Sequence, residues 1–434
     1  STSRQALEAP AWLRQFSSEE VSDTTRGLGF DGTPGGNFVV GETFGTFTGE
    51  TSAGSADAYL RNYDSEGNHE WTEQFGTAQH DSAVEVEVRG TSIYVAGRTA
   101  GVLGPNSAGE GDLFVRKFEE GDSGAEAVWT VQFGGVDDEV VGDLAVDGSA
   151  IYVVGRTDGA LPGFTNAGEA GEVGEEDAIL VKFTDGDPTA TLSWVKQFGN
   201  PGFDDADAVA ASAGRVYVAG EFQVNPPGEP TEVHADAYLR RYDDAGSTAS
   251  VAWTRQFGTA EYDRAFGATF DSGAIYVGGQ TGGAFPGETS AGGSDGFVRK
   301  YDEAGTEIWT AQFGSTDGGF DTVRDVAAGA SGVWLGGNTD GELPGQTKVA
   351  DVDIFVRRYT ADGRADGTIQ LGTIQPDEST RTGSVGYHDG SVYSTGWTDG
   401  TLPGQVAAAD QEAYLLKIAY DTDQDGVPDE SDNC

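Results

Sequence analysis

Apolar and polar residues alternate along the chain in short runs, each closed by Gly, Pro, Asp or Asn, and no stretch holds a helical period for long. The pattern predicts strands and tight turns throughout. One phrase sets the period. Trp71 to Phe75, read as Trp-Thr-Glu-Gln-Phe and followed by Gly76, returns at Trp129 to Phe133, Trp194 to Phe198, Trp253 to Phe257 and Trp309 to Phe313. A first copy runs from Trp12 to Phe16 and a degenerate last one is Ile369-Gln370-Leu371, giving seven copies about 56 to 65 residues apart.

Each period holds four strand-like runs. After the Trp phrase comes a run of small residues such as Ala265 to Phe270, then a β-branched and aromatic run such as Ile93 to Gly97 or Ile275 to Gly279. A Gly- and Pro-rich loop leads to a further run, as in Asp236 to Tyr242 and Asp295 to Tyr301, and a turn such as Asp302 to Gly305 returns the chain to the next Trp. Four runs per period and seven periods predict an all-β, seven-bladed β-propeller with four antiparallel strands per blade. The chain opens on a Trp strand at residues 11–16 and closes on Glu412 to Ile418, the run that elsewhere precedes a Trp strand. The N-terminal strand is therefore expected to pair with the C-terminal blade, removing exposed edges and making residues 1–420 one domain.

Three features occur together in every complete period: an Asp-led run such as Asp236-Ala237-Tyr238-Leu239-Arg240-Arg241-Tyr242, a Trp strand ending in Phe-Gly, and a run such as Ile93-Tyr94-Val95-Ala96-Gly97. On these the chain resembles the bacterial SBBP-type β-propeller repeats over residues 11 to 420. The resemblance implies the fold and says little about activity, because propellers host many unrelated ones.

Hydrophobic residues make up 37% of the 434, with 22 Phe, 15 Tyr and 8 Trp, so an ordered core is expected despite the charge. That charge is extreme: 72 acidic against 25 basic residues, formally −47. Such a surface repels nucleic acid and anionic membrane, and no apolar run is long enough for a membrane helix. It suits either a high-salt setting or an extracellular one that recruits divalent cations. The chain begins at Ser1 without Met, and its one cysteine, Cys434, is its last residue. Both features suggest a processed, secreted or cell-surface chain that continues beyond residue 434.

Residues 421 to 434 read Asp421-Thr422-Asp423-Gln424-Asp425-Gly426-Val427-Pro428-Asp429-Glu430-Ser431-Asp432-Asn433-Cys434, and resemble a thrombospondin type 3 calcium repeat. Carboxylates at the alternate positions Asp421, Asp423 and Asp425 can converge on one hard cation, and Gly426 permits the sharp turn that follows. The Val427 carbonyl with Asp429 and Asp432 would complete an all-oxygen shell that suits Ca2+ better than zinc or copper. An EF-hand is the nearest rival, but Pro428 and the absence of flanking helical patterns oppose it. The segment is read as the start of a calcium-stiffened stalk.

Two sets of repeated acids invite either a structural or a metal-binding reading. Asp23, Asp81, Asp138, Asp204, Asp263, Asp321 and Asp377 precede the small-residue runs, and Asp57, Asp112, Asp177, Asp236, Asp295 and Asp353 open the third runs. Recurrence in every period favours turn capping over ligand binding. The Trp and Phe set reads as core between blades, and the knobs at Leu161-Pro162, Phe285-Pro286, Leu343-Pro344 and Leu402-Pro403 as loops folded back over the blades. Symmetry breaks at 163–176 and 221–235, the irregular loops of repeats three and four, which become the candidate surface for a protein or glycan partner or for self-association. The four histidines, His69, His80, His234 and His388, are scattered, and no nucleophile constellation can be drawn. Acid pairs such as Asp137-Asp138 and Asp204-Asp205 could in principle serve a glycosidase, but adjacent carboxylates are expected by chance in so acidic a chain. The expected role is a non-enzymatic surface module for structural, adhesive or partner-binding purposes. A carbohydrate-binding or carbohydrate-active propeller, or a subunit of a surface fibre or layer, are the alternatives.

Overall fold

Seven four-stranded antiparallel sheets stand in a ring, and among the described residues there is no helix. The computed structural model describes residues 10–18, 22–30, 36–105, 109–121, 124–165, 176–224, 234–329, 332–373, 380–407 and 409–419. The protein is a seven-bladed β-propeller. In blade 1 the strands run outward from the axis in chain order as Asp23–Phe30, Asn37–Thr43, Asp57–Tyr63 and His69–Phe75. Blades 2 to 6 repeat this order, with innermost strands Asp81–Arg89, Glu139–Asp147, Asp204–Ser212, Asp263–Asp271 and Asp321–Gly329. Blade 7 takes three strands from the C-terminal end, Thr380–His388, Ser391–Thr398 and Glu412–Ala419. Its fourth is Trp12–Phe16, with Trp12 opposite Lys417 and Phe16 opposite Ala413. The closure expected from the phase of the repeat is present.

Every innermost strand bends at the same place. The register slips once in each, between Thr25 and Gly27, Ala83 and Glu85, Val141 and Asp143, Ala206 and Ala208, Ala265 and Gly267, Val323 and Asp325, and Thr382 and Ser384. A bulge sharpens local twist, which lets seven strands crowd round one axis. It also explains why these runs hold small residues and lack clean alternation.

The Trp phrase builds the seams between blades, as expected. Each Trp leans on the aromatic of its own second strand, with Tyr94–Trp129, Tyr152–Trp194, Tyr217–Trp253 and Tyr276–Trp309 centroids 6.1–6.2 Å apart. Its indole N–H then donates to the turn of the following blade: Trp129 and Trp194 to Asp185 and Asp244, both at 3.1 Å, and Trp253 to the Glu303 carbonyl at 3.2 Å. Gly305, at φ +76°, lies flat on the Trp253 ring, where a Cβ would collide with it. The phrase Phe reaches across the same seam beneath an arginine of the next blade, as with Arg116 over Phe75 and Arg299 over Phe257, 4.7 and 4.4 Å from the ring centroids. In blade 6 the Trp slot opposite Arg358 holds Gly367, and Trp334 replaces the usual Tyr on the second strand. The volume lost on one strand is restored by its neighbour.

The invariant Gln of the phrase ties loop to blade. Gln312 donates from Nε2 to Asp295 Oδ2 and to the Gly283 carbonyl, both at 2.7 Å, while its Oε1 accepts the Phe285 N–H at 3.0 Å. Gln370 with Asp353, Gly341 and Leu343 repeats this arrangement, and Gln15 with Glu412, Gly400 and Leu402 repeats it across the ring closure. Leu161, Phe285, Leu343 and Leu402 are buried, so the knobs do fold back over the blades.

Candidate functional site

The first repeated acid acts as a cap. Oδ2 of Asp81 and of Asp263 accepts the N–H of the residue four positions earlier, Thr77 and Thr259, each at 2.5 Å, and Asp321 accepts from Ser315 at 2.7 Å. One member of the expected set is corrected. The blade 3 slot belongs to Glu139, which accepts Gly135 N–H at 2.9 Å and Thr157 Oγ1 at 2.8 Å. Asp138 instead pairs with Arg98 at 2.6 Å. Its side chain is too short to reach the loop from one residue earlier, and three successive acids hide which one does. Asp377 lies outside the described residues, as do Asp421, Asp423, Asp425, Val427, Asp429 and Asp432 of the calcium segment. The second acid set, Asp57, Asp112, Asp177, Asp236, Asp295 and Asp353, receives the phrase Gln in each blade.

One position breaks the symmetry in an ordered way. Glu42, Arg98, Arg156, Glu221 and Gln280 share one position near the end of the second strand, and each pairs with a side chain at or just before the start of the next blade's first strand. His80 bonds Glu42 at 2.8 Å, Arg98 bonds Asp138 at 2.6 Å, and Thr322 donates to Gln280 at 2.8 Å. Between blades 3 and 4 the cation is on the earlier blade, with Arg156 to Asp205 at 3.0 Å. Between blades 4 and 5 the polarity inverts, with Arg264 of the later blade 2.7 Å from Glu221. Arg264 also meets Asp207 at 2.5 Å and Asp205 at 2.9 Å, and Arg156 meets Glu176 at 2.6 Å. Two guanidiniums and four carboxylates thus form one network over three blades.

That network floors a cavity of about 280 Å³ lined by Arg156, Glu176, Phe203, Asp204, Asp205, Glu221, Gln223, Ala235, Tyr262 and Arg264. Its rim carries Phe203 and Tyr262, 49% and 38% exposed. The irregular stretches 163–176 and 221–235 leave from this rim, and of these 166–175 and 225–233 lie outside the described residues. Electrostatics within the cavity follow burial. Burial raises the Asp204 carboxyl to about 7, with Asp177 and Glu221 nearby acting in the same direction. Burial also raises Glu221, against the pull of Arg264. Arg264 is held firmly charged, since the carboxylates around it outweigh the cost of its burial. Both guanidiniums are already engaged by carboxylates, so the cavity is not an open anion site; it offers hydrogen-bonding groups beside two exposed rings.

A second cavity, about 330 Å³, follows the axis and is lined by Glu85, Glu87, Asp143, Asp325 and Ser384 among others. Its acids are structural in part: Asp143 accepts Val209 N–H of the next blade at 2.7 Å, and Asp325 accepts Val385 N–H at 2.9 Å. The histidines are dispersed. His69 meets Thr72, His80 meets Glu42, and His388 stacks on Phe30. Among the described residues no group of three or more His, Cys, Asp or Glu side chains is arranged to hold a metal ion.

No family model matches the chain. Over 377 residues, 78% of its length, it is 27% identical to the regulatory protein FlaEY of Caulobacter vibrioides, and it spans 37% of that protein. Among solved structures, the Neurospora crassa Pan2 WD40 domain superimposes with a TM-score of 0.50 at 8% identity, covering 95% of this chain and 97% of that one. The phage phi92 endosialidase gives 0.46 at 10% identity over 95% and 70%. These likenesses concern the fold alone.

Proposed function

We propose that the chain is a non-catalytic, cell-surface or extracellular binding module, whose partner docks on the loop face over blades 3 to 5. One observation carries the reading. Asymmetry is concentrated there: two irregular loops, the inverted Arg156–Asp205 and Glu221–Arg264 pairs and the exposed rings of Phe203 and Tyr262 share one rim. A rigid, closed ring supplies the scaffold, and irregular loops on such a scaffold commonly carry recognition. The acidic segment from Asp421 to Asp432 would bind Ca2+ and be stiffened by it. Calorimetric titration of the full chain with CaCl2 checks this: substituting Asp421, Asp423 and Asp425 by Asn should remove at least one bound ion.

A carbohydrate-active role is the second reading. Asp204, whose carboxyl burial raises to about 7, and Glu221 line the same cavity as two exposed rings, which is the inventory a sugar site uses. A glycan array and a sedimentation series with wild-type chain and the Phe203→Ala/Tyr262→Ala double variant decide between them. The binding reading expects capture or self-association that weakens about tenfold or more in the variant, with no sugar released. Turnover of any arrayed glycan would replace it with the second reading.

A further inference from the structure

The two repeated acid sets meet. At the boundary of blades 1 and 2, a Cβ added to Gly76 would strike both Asp57 Oδ1 and Asp81 Oδ2. The same holds at Gly134 for Asp112 and Glu139, at Gly199 for Asp177 and Asp204, and at Gly258 for Asp236 and Asp263. Thus the glycine after the phrase Phe marks a point on which carboxylate oxygens from two successive blades converge, four times around the ring. The absence of a side chain there leaves room for the acids rather than for the backbone to turn.

At Asp57 and Asp81, capping accounts for only one oxygen of each carboxylate. Asp57 is 1% exposed and Asp81 0%. Asp57 Oδ2 accepts from Gln74 Nε2 and Ala53 N–H, and Asp81 Oδ2 from Thr77 N–H and Oγ1. Their Oδ1 atoms, like those of Asp263, Asp295 and Asp321, are buried without a hydrogen-bond partner. The free Oδ1 of Asp57 is one of the two atoms aimed at the point beside Gly76. Two acids sealed together, each with an oxygen lacking a donor, carry a large desolvation and repulsion cost unless something positive lies between them. Among the described residues no Lys or Arg bridges Asp57 and Asp81.

We propose that the inter-blade pair Asp57 and Asp81 is a binding site for a divalent, oxygen-seeking cation of calcium's size. Two carboxylates match the charge of Ca2+, the all-oxygen surroundings match its preference, and backbone carbonyls or water would supply the remaining ligands. A cation held from both sides of a seam links one blade to the next. Asp57 thus holds its loop through Oδ2 and offers Oδ1 to the ion, while Asp81 Oδ2 would serve both the turn and the ion.

The test uses the full chain with its terminal segment silenced by Asp421→Asn, Asp423→Asn and Asp425→Asn. Titration of that chain with CaCl2 should still show at least one ion bound, with Kd of about 10⁻⁵ to 10⁻³ M, and its melting temperature should rise in calcium and fall in EDTA. Adding Asp57→Asn and Asp81→Asn should lower the number of ions by one. Asn keeps the shape and the capping acceptor and gives the opposite residue a donor. Should the five-fold variant fold poorly, the silenced chain alone decides, through its stoichiometry and its melting in calcium against EDTA. A silenced chain that takes up no calcium, or a stoichiometry indifferent to the Asp57 and Asp81 substitutions, overturns the proposal.

Discussion

Deleting residues 1–16 lowers the melting temperature by about 10 °C and makes the protein prone to aggregate. The deleted segment contains Trp12–Phe16, the outermost strand of blade 7, and the loss of that strand acts at three levels. It removes the ladder from Trp12 opposite Lys417 to Phe16 opposite Ala413, exposing the unpaired edge of Glu412–Ala419 in a sheet that otherwise has a partner. It strips Leu13 from the cluster around Leu402, Tyr414 and Leu416, and Trp12 from Tyr393. Partial burial of three large apolar side chains is worth about 5 kcal/mol. It also takes away Gln15, which holds Gly400, Leu402 and Glu412, and the donations of Trp12 and Arg14 to Ser65 and Gly67 of blade 1. With roughly 1 kcal/mol per degree for a chain this long, these losses add to about 10 °C. Scanning calorimetry with light scattering measures it. A melting temperature within about 2 °C of the full chain would mean that the ring does not depend on this seam. The single substitution Gln15→Leu, which removes only the clamp, should cost about 2–3 kcal/mol.

How far the sequence leads depends on whether a feature repeats identically. The period, the four strands, the closure and the burial of Trp129 and Trp194 all rest on residues that recur at fixed offsets, and each is visible in the string of letters. The role of the phrase Gln was hidden in plain view: Gln15, Gln74 and Gln312 recur in the same slot, but a polar residue in an exposed-looking strand gives no sign that it clamps a loop 27 to 29 residues upstream or, for Gln15, at the far end of the chain. The bulges were hidden because a small-residue run carries no alternation to disturb. The cross-blade pairs were hidden for the opposite reason. Glu42, Arg98, Arg156, Glu221 and Gln280 share one structural position with unlike side chains, and only the register shows that each answers a residue of the following blade. The Trp334 that stands where other blades have Tyr, compensating Gly367, is legible only once both are known to flank Arg358 in the sheet.

In EDTA, stability falls as pH rises from about 4 to about 7, the reverse of ordinary acid denaturation. Burial raises Glu139 and Asp204 to about 7, and raises Asp23, Asp263 and Asp321 as well. A carboxyl whose folded pKa lies above its free-chain value binds its proton more tightly in the folded state. Its contribution is therefore complete below the free-chain value and is lost as pH climbs through the folded value. For Asp204, carried from 3.8 to about 7, the full loss is about 4 kcal/mol, and for Glu139 about 3 kcal/mol. Together they correspond to a drop of roughly 5–8 °C, with the mutual repulsion of a −47 chain acting in the same direction. Calcium should invert the slope, because a cation between paired acids requires both to be ionised and so binds better as pH rises. Melting curves at pH 4.5, 6 and 7.5 in EDTA and in millimolar CaCl2 separate the two effects. A downward slope in EDTA that calcium leaves unchanged would mean that the pairs are held by shared protons. A stability that rises with pH in EDTA would mean that burial does not govern these acids at all, and the unpartnered oxygens of Asp57, Asp81 and Asp321 would then need another source of compensation.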